Sequence, residues 1–172
     1  MQGELLTIVT FAPLAAGLLL LATGLVARVL GASGLPDSAW RAFGFAVSLA
    51  TFVVSIGLFT GFDPTETDYQ FVQHAPWIAD YGIHYYVGID GISLVLVMLT
   101  TFLMPITLLA SWNDISKSLK SYVFFMLFLE TGMLGAFVSL NLFQFYVFWE
   151  LMLVPMYFII GDRKSTRLNS SH

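Results

Sequence analysis

Five long apolar runs dominate this 172-residue sequence and leave it few possible folds. Each approaches the ~20 residues that a helix needs to cross the roughly 30 Å hydrocarbon core of a bilayer. They are Leu5–Ala27, Ala42–Phe59, Ile92–Trp112, Tyr122–Leu140 and Leu142–Ile160. A spanning β-barrel would instead show alternating segments of about ten residues. We therefore predict an all-α integral membrane protein with five spans.

The composition agrees and excludes several functions. Hydrophobic residues make up 58% of the chain and charged residues 10%, against roughly 25% charged in a typical soluble domain. There is no cysteine, no basic cluster and no glycine-rich phosphate loop, so we expect no thiolate metal site and no nucleic-acid partner. We expect no metal site at His74, His84 or His172 either. The first run follows no basic residue and is predicted to be a permanent span, not a signal peptide.

The positive charges predict an orientation, because cytoplasmic loops are enriched in Lys and Arg. All seven fall in alternate segments: Arg28, Arg41, Lys117, Lys120, Arg163, Lys164 and Arg167. The segment 61–91 has none and carries five acids. We therefore expect the N-terminus outside and the C-terminus of this chain in the cytoplasm.

Two polar segments flank or interrupt the spans. Within the extracytoplasmic loop 61–91, WIADYGIHYYVGID alternates around Gly82 and predicts a short β-hairpin. We interpret it as an interfacial cover, with ligand binding as the alternative. The tail 162–172, DRKSTRLNSSH, fits the start of a cytoplasmic loop or a segment foreign to what precedes it.

Two acids interrupt the last two runs. Glu130 lies 11 residues before the apparent turn at Asn141, and Glu150 lies 9 after it, so each carboxyl is about 15 Å from the outer boundary at 1.5 Å per residue. An ionised carboxylate there costs at least ~3 kcal/mol, and no span contains Lys, Arg or His. We predict that both exchange protons, with Glu150 as the main relay, and that they share protons if they come close. The alternative is a protonated glutamate making a structural interhelical hydrogen bond.

The residues around these acids fit a proton path. Pro155 cannot donate to the carbonyl of Leu151, and Pro105 leaves the carbonyl of Thr101 free; such gaps can host water. Simple packing kinks are the alternative. On the side of the fourth span opposite Glu130 lie four small residues that favour close packing of another helix: Gly132, Gly135, Ala136 and Ser139.

Three stretches carry a resemblance to a known family. FYVFWELMLVPMYFIIG (145–161), HYYVGIDGISLVLVMLTTFLMPITLLASW (84–112) and ETGMLGAFVSLNLF (130–143) resemble the M chain, or subunit 4, of proton-translocating NADH:quinone oxidoreductase, respiratory complex I. The resemblance implies the N-terminal part of an antiporter-like multi-span bundle with an extracytoplasmic hairpin. It implies that Glu150 is the functional glutamate and that Glu130 has a secondary role.

The resemblance also implies the setting. The chain is expected to contribute to proton translocation coupled to NADH oxidation and quinone reduction, beside other membrane-arm subunits such as the sister chains L and N. NADH, FMN, iron–sulfur clusters and quinone are expected in other subunits. We expect a bacterial plasma membrane, with inner mitochondrial or thylakoid membranes as alternatives. A subunit of a multisubunit cation/proton antiporter, a purely structural segment and a non-functional truncated fragment remain open.

Overall fold

The computed structural model describes residues 2–31, 35–113, 115 and 119–168, and within these it leaves the side chains of residues 2, 28 and 159–168 undescribed. In chain order the elements are α1 (Gln2–Val29), α2 (Asp37–Gly61), β1 (Gln70–Ile78), β2 (Ile83–Ile89), α3 (Gly91–Ala110), α4 (Leu119–Val138) and α5 (Leu142–Leu168). A 3₁₀ turn, Ala79–Tyr81, joins the two strands. The predicted all-α architecture with a β-hairpin is confirmed.

Within the described residues four helices are long and apolar enough to cross a membrane, which makes this a membrane protein. They cover Gly3–Ala27, Asp37–Gly61, Gly91–Ala110 and Leu119–Val138. In α5 the apolar part with described side chains is shorter, Leu142–Phe158, and the last two residues of the predicted fifth span lie outside it. The crossing by α5 therefore stays a prediction. Its backbone remains helical to Leu168, into the predicted polar tail, while 169–172 lie outside the described residues.

Helix α4 is at the centre of the bundle. Eleven of its 20 residues are buried, against six of 25 in α2, and it packs against each of the other four helices. The outer helices keep broad apolar faces exposed, including Leu19, Val53 and Val95. In a bilayer such faces are solvated by lipid chains, so their exposure is consistent with membrane insertion.

The hairpin covers the ends of α1, α4 and α5. Its turn closes where Gly82 adopts φ +64° and its N–H donates to the carbonyl of Ala79 at 3.0 Å; a left-handed backbone here favours glycine. The predicted turn near Gly82 is confirmed. Val87 and Ile89 on β2 are fully buried among helix side chains such as Leu6, so one face of the hairpin joins the core.

The junction between α4 and α5 is bonded to β2. The N–H of Leu140 donates to the carbonyl of Tyr86 at 2.9 Å, and the N–H of Tyr86 donates to the side-chain oxygen of the buried Gln144 at 2.9 Å. The side-chain oxygen of Asn141 accepts from the N–H of Phe143 at 2.9 Å. Residues on either side of the turn at Asn141 are therefore hydrogen-bonded to β2. These bonds stabilise α4 and α5 as a helical hairpin.

Candidate functional site: two carboxyl groups on opposite sides of a helix pair

Glu130 lies inside the bundle on α4. Its side chain is 0% exposed, and neither carboxyl oxygen has a hydrogen-bond partner among the residues that the structure describes. Buried polar groups are normally hydrogen-bonded because an unpaired one costs about 1–3 kcal/mol. A buried acid without a hydrogen-bond partner is therefore a candidate functional group.

Two glycines on the other side of α4 show which face of this helix packs against α5. A Cβ added at Gly135 would lie 2.3 Å from the Phe148 ring, and one added at Gly132 would lie 2.7 Å from Cγ of Met152. Helix α5 therefore packs directly on the small-residue face that the sequence predicts. Because Glu130 is on the opposite face, its carboxyl points away from α5.

Glu150 occupies the outer side of α5. It is exposed, whereas Phe148, on the side facing α4, is 6% exposed. Tyr146, one turn earlier on the same face, is exposed as well. Glu150 is thus accessible at the surface of the described bundle, while Glu130 is enclosed within it.

The two acids share a depth but do not meet. Glu150 lies midway between Phe148 and Met152, which contact Gly135 and Gly132. It is therefore level with residues 133–134, only three to four residues, or roughly 5 Å, from Glu130 along the helix axis. Since the helix pair separates the two carboxyls, the structure does not bring together the proton-sharing pair considered from the sequence.

The supporting residues lie inside the bundle. Pro105 in α3 and Pro155 in α5 are both buried, and each leaves the carbonyl four residues earlier without its usual donor. Thr101 is 0% exposed; its hydroxyl donates to the carbonyl of Val97 at 3.0 Å and lies 2.9 Å from the hydroxyl of Ser55 on α2. Thr101 thus belongs to a buried polar contact between α2 and α3.

The chain is similar to known proteins over most of its length. Residues 18–136 match the family described as NADH-ubiquinone oxidoreductase chain 4, amino terminus. The chain belongs to this family. The matched range includes Glu130, Thr101 and Pro105, while Glu150 and Pro155 lie beyond it.

Individual members of the chain 4 family extend the match. NADH-quinone oxidoreductase subunit M of Rhodobacter capsulatus is 44% identical over 158 residues, which is 92% of this chain and 29% of the relative. NADH-ubiquinone oxidoreductase chain 4 of Arabidopsis thaliana is 43% identical over 121 residues, 70% of this chain and 24% of the relative. The predicted family is confirmed, and the chain spans less than a third of the length of these relatives.

A solved structure shows the same fold. A chain of respiratory complex I from Thermus thermophilus with bound NADH superimposes with a TM-score of 0.66 at 24% identity, covering 87% of this chain and 27% of that one. The helix arrangement seen here is therefore one that occurs in that membrane assembly.

A row of buried hydroxyls on α2 is not among the residues predicted from the sequence. Ser48, Thr51 and Ser55 are each at most 3% exposed, and each donates to a carbonyl three or four residues earlier in its own helix. Their spacing of three and four places them on one helix face. That spacing is visible in the sequence and could have identified them.

Two histidines of the hairpin lie close together. The rings of His74 and His84 are 4.6 Å apart between centroids. Within the described part of the chain no group of three or more His, Cys, Asp or Glu side chains could hold a metal ion. His172 lies outside the described residues.

Outside the spans, groups such as Tyr85 and Asp90 have shifted pKa values. Burial raises the pKa of the Tyr85 phenol, and a hydrogen bond with Thr7 at 2.9 Å partly opposes this. The N–H and then the hydroxyl of Ser93, each donating at 2.7 Å, lower the pKa of Asp90. Asp90 caps the start of α3 and is best stabilised as an anion there.

Proposed function

We propose that this chain forms the N-terminal part of a membrane-arm subunit of a proton-translocating NADH:quinone oxidoreductase, in which Glu130 and Glu150 exchange protons. The single observation that supports this most directly is the fully buried, unpaired carboxyl of Glu130 in a chain of the chain 4 family. A carboxyl without a fixed cation or hydrogen bond can take up or release a proton as its surroundings change.

The exposure of Glu150 supports a protein cover over that face of α5. A charged side chain facing hydrocarbon costs roughly 2.5–3.5 kcal/mol or more. Since the relatives are about three times as long as this chain, we propose that later helices of the complete subunit cover Glu150. In that position it receives protons from a later span, and Pro155 leaves a carbonyl to bind water beside the path.

The redox chemistry belongs elsewhere in this proposal. The chain's contribution is proton movement, and NADH, FMN, iron–sulfur clusters and quinone are handled by other subunits. Its neighbours are membrane-arm subunits of the L and N type. The membrane is a bacterial plasma membrane, with the N-terminus and the 61–91 loop outside.

The main test uses a chimera in which this chain replaces the corresponding residues of the Rhodobacter capsulatus subunit M, assembled in its complex. We expect Glu150→Gln to remove most proton pumping into vesicles while assembly and NADH oxidation by the redox subunits are retained, because glutamine keeps the shape but cannot carry a proton. Glu130→Gln should have a smaller effect. Glu66→Gln, in the exposed loop, is the matched control.

Pumping by Glu150→Gln at the rate of the control would refute the relay role. Sodium uptake without NADH oxidation would instead indicate a cation/proton antiporter. The orientation is tested separately by cysteine labelling, since this chain has no cysteine. A cysteine at Glu66 should react with an impermeant reagent from outside, and one at Ser38 should not; the reverse pattern would invert the topology.

A further inference from the structure

The buried face of α2 is small and hydroxyl-rich, as is common where helices pack in a membrane. Its buried residues recur every three or four positions, and four of the six are small or carry a hydroxyl: Gly44, Ser48, Thr51 and Ser55. The hydroxyl protons are used within α2, because Thr51 donates to the carbonyl of Val47 at 3.0 Å and Ser48 to that of Phe45 at 3.0 Å. The remaining lone pairs of these oxygens are available to accept from another donor.

The register between α2 and α4 places Glu130 opposite this face. A Cβ at Gly44 would lie 2.6 Å from Cγ1 of Val123, so these residues are in direct contact. Because successive spans alternate in direction, α2 and α4 run parallel. Seven residues further along each helix, nearly two turns and roughly 10.5 Å, Thr51 and Glu130 again face each other.

From this register we infer that Glu130, Thr51 and Ser48 lie along the contact between α2 and α4. Glu130 is 0% exposed and both its oxygens lack partners in the described chain. Thr51 is 3% exposed, and Ser48, one turn away on the same face, is 0% exposed. Buried water typically makes two to four hydrogen bonds to otherwise unpaired polar groups. The set supplies such partners: carboxyl oxygens and two hydroxyl oxygens.

We propose that Glu130, Thr51 and Ser48 form an internal water-binding site, and that Glu130 exchanges its proton through the water held there. This site lies on the side of α4 that faces away from Glu150. It deepens the proposed function and rests on it for the role of Glu130 in proton transfer. In the exchange a water accepts the carboxyl proton as a new O–H bond forms and the Glu130 O–H bond breaks; the reverse step restores the acid.

The test changes one hydroxyl. In the chimera, Thr51→Val removes the oxygen while keeping the shape of the side chain, and Thr51→Ser retains the oxygen. Thr107→Val is the matched control, because Thr107 makes the same bond to the carbonyl four residues earlier but is exposed on α3. The readouts are water density between α2 and α4 by high-resolution electron microscopy, the infrared carbonyl band of protonated Glu130, and protons pumped per NADH oxidised.

We expect Thr51→Val to lose the water density, to shift the Glu130 band to higher wavenumber and to reduce pumping to the level of Glu130→Gln. Thr51→Ser should restore all three, and Thr107→Val should change none. An unchanged band and unchanged density in Thr51→Val would overturn the water site, whatever pumping does. Normal pumping in Glu130→Gln, with the band still shifted in Thr51→Val, would support the site and refute only the relay role of Glu130.

Discussion

The contact between Gly135 and Phe148 provides the sharpest test of the helix packing that positions both acids. We expect Gly135→Ala to destabilise the protein. The added Cβ would lie 2.3, 2.4 and 2.5 Å from three ring carbons of Phe148, whereas carbon atoms normally approach to ~3.5–4.0 Å. The Phe148 ring must therefore move by more than about 1 Å. It has little room to do so, because the side chain is only 6% exposed and its ring centroid lies 5.9 Å from that of Phe11.

The magnitude follows from two opposing effects. Overpacking of a filled interior costs about 1–3 kcal/mol, while replacing a helical glycine with alanine returns about 0.5–1 kcal/mol. The net loss should therefore lie between about 0 and 2.5 kcal/mol, with a midpoint near 1 kcal/mol. Gly57→Ala is the control, because its nearest atom would be Cδ2 of Leu5 at 3.5 Å, an ordinary contact. That substitution should be neutral or slightly stabilising.

The assay is thermal unfolding of the purified chimera, followed by proton pumping. Gly135→Ala should unfold at a lower temperature than Gly57→Ala, and adding Phe148→Leu should recover part of the loss, because the smaller side chain leaves space for the new methyl group. Residues in contact show such non-additivity. Equal unfolding temperatures for the two alanine variants, or additive effects in the double variant, would show that α5 does not pack on this face of α4.

Two further predictions concern the ends of the helices. Gln144→Leu should leave the Tyr86 N–H without its acceptor, at a cost of about 1–3 kcal/mol; hydrogen exchange at that amide should accelerate, and unchanged exchange would contradict the bond. Asp90→Ala should cost about 0.5–2 kcal/mol at neutral pH by removing the cap on Ser93. Because folding lowers the pKa of Asp90, this stabilisation is complete above the ordinary value of 3.8 and is lost as the pH falls through the lowered one. Thermal unfolding of the variant and parent should therefore converge in strong acid, and a constant difference would refute the assignment.

Much of the fold was predictable because hydropathy and alternation report directly on burial. The apolar runs located the helices, and the alternation around Gly82 located the hairpin. The helix ends were less accurate. Helix α2 begins at Asp37, before the apolar run at Ala42, because helical hydrogen bonding continues past the hydrocarbon boundary. Helix α4 ends at Val138, before the predicted Leu140, because the N–H of Leu140 bonds to β2 instead.

The level of the two acids along the helix axis was predictable from the sequence, but the residues that face them were not. Counting residues from Asn141 placed both acids at a similar level, since helical rise is constant. The small-residue face also predicted that a helix packs there, and the structure shows that this helix is α5. Which polar groups face Glu130 depends on the register between α2 and α4, set by contacts such as Gly44 with Val123. Gly44 and Val123 are about 80 residues apart in the sequence, and no hydrophobic pattern within one helix reports on its register with another.

The separation of the two acids constrains any mechanism built on them. Glu130 lies within the five-helix bundle and Glu150 on its outer side, with the close-packed contact between α4 and α5 in between. A carboxyl proton moves only over hydrogen-bond distances, so one glutamate cannot pass it directly to the other through glycine and phenylalanine. If both acids act in one path, water or polar side chains must lead around α4 or through the helix ends. If they act separately, Glu130 serves the interior of this bundle and Glu150 serves the helices that cover α5, and Glu150→Gln and Glu130→Gln should then reduce pumping additively in the double variant.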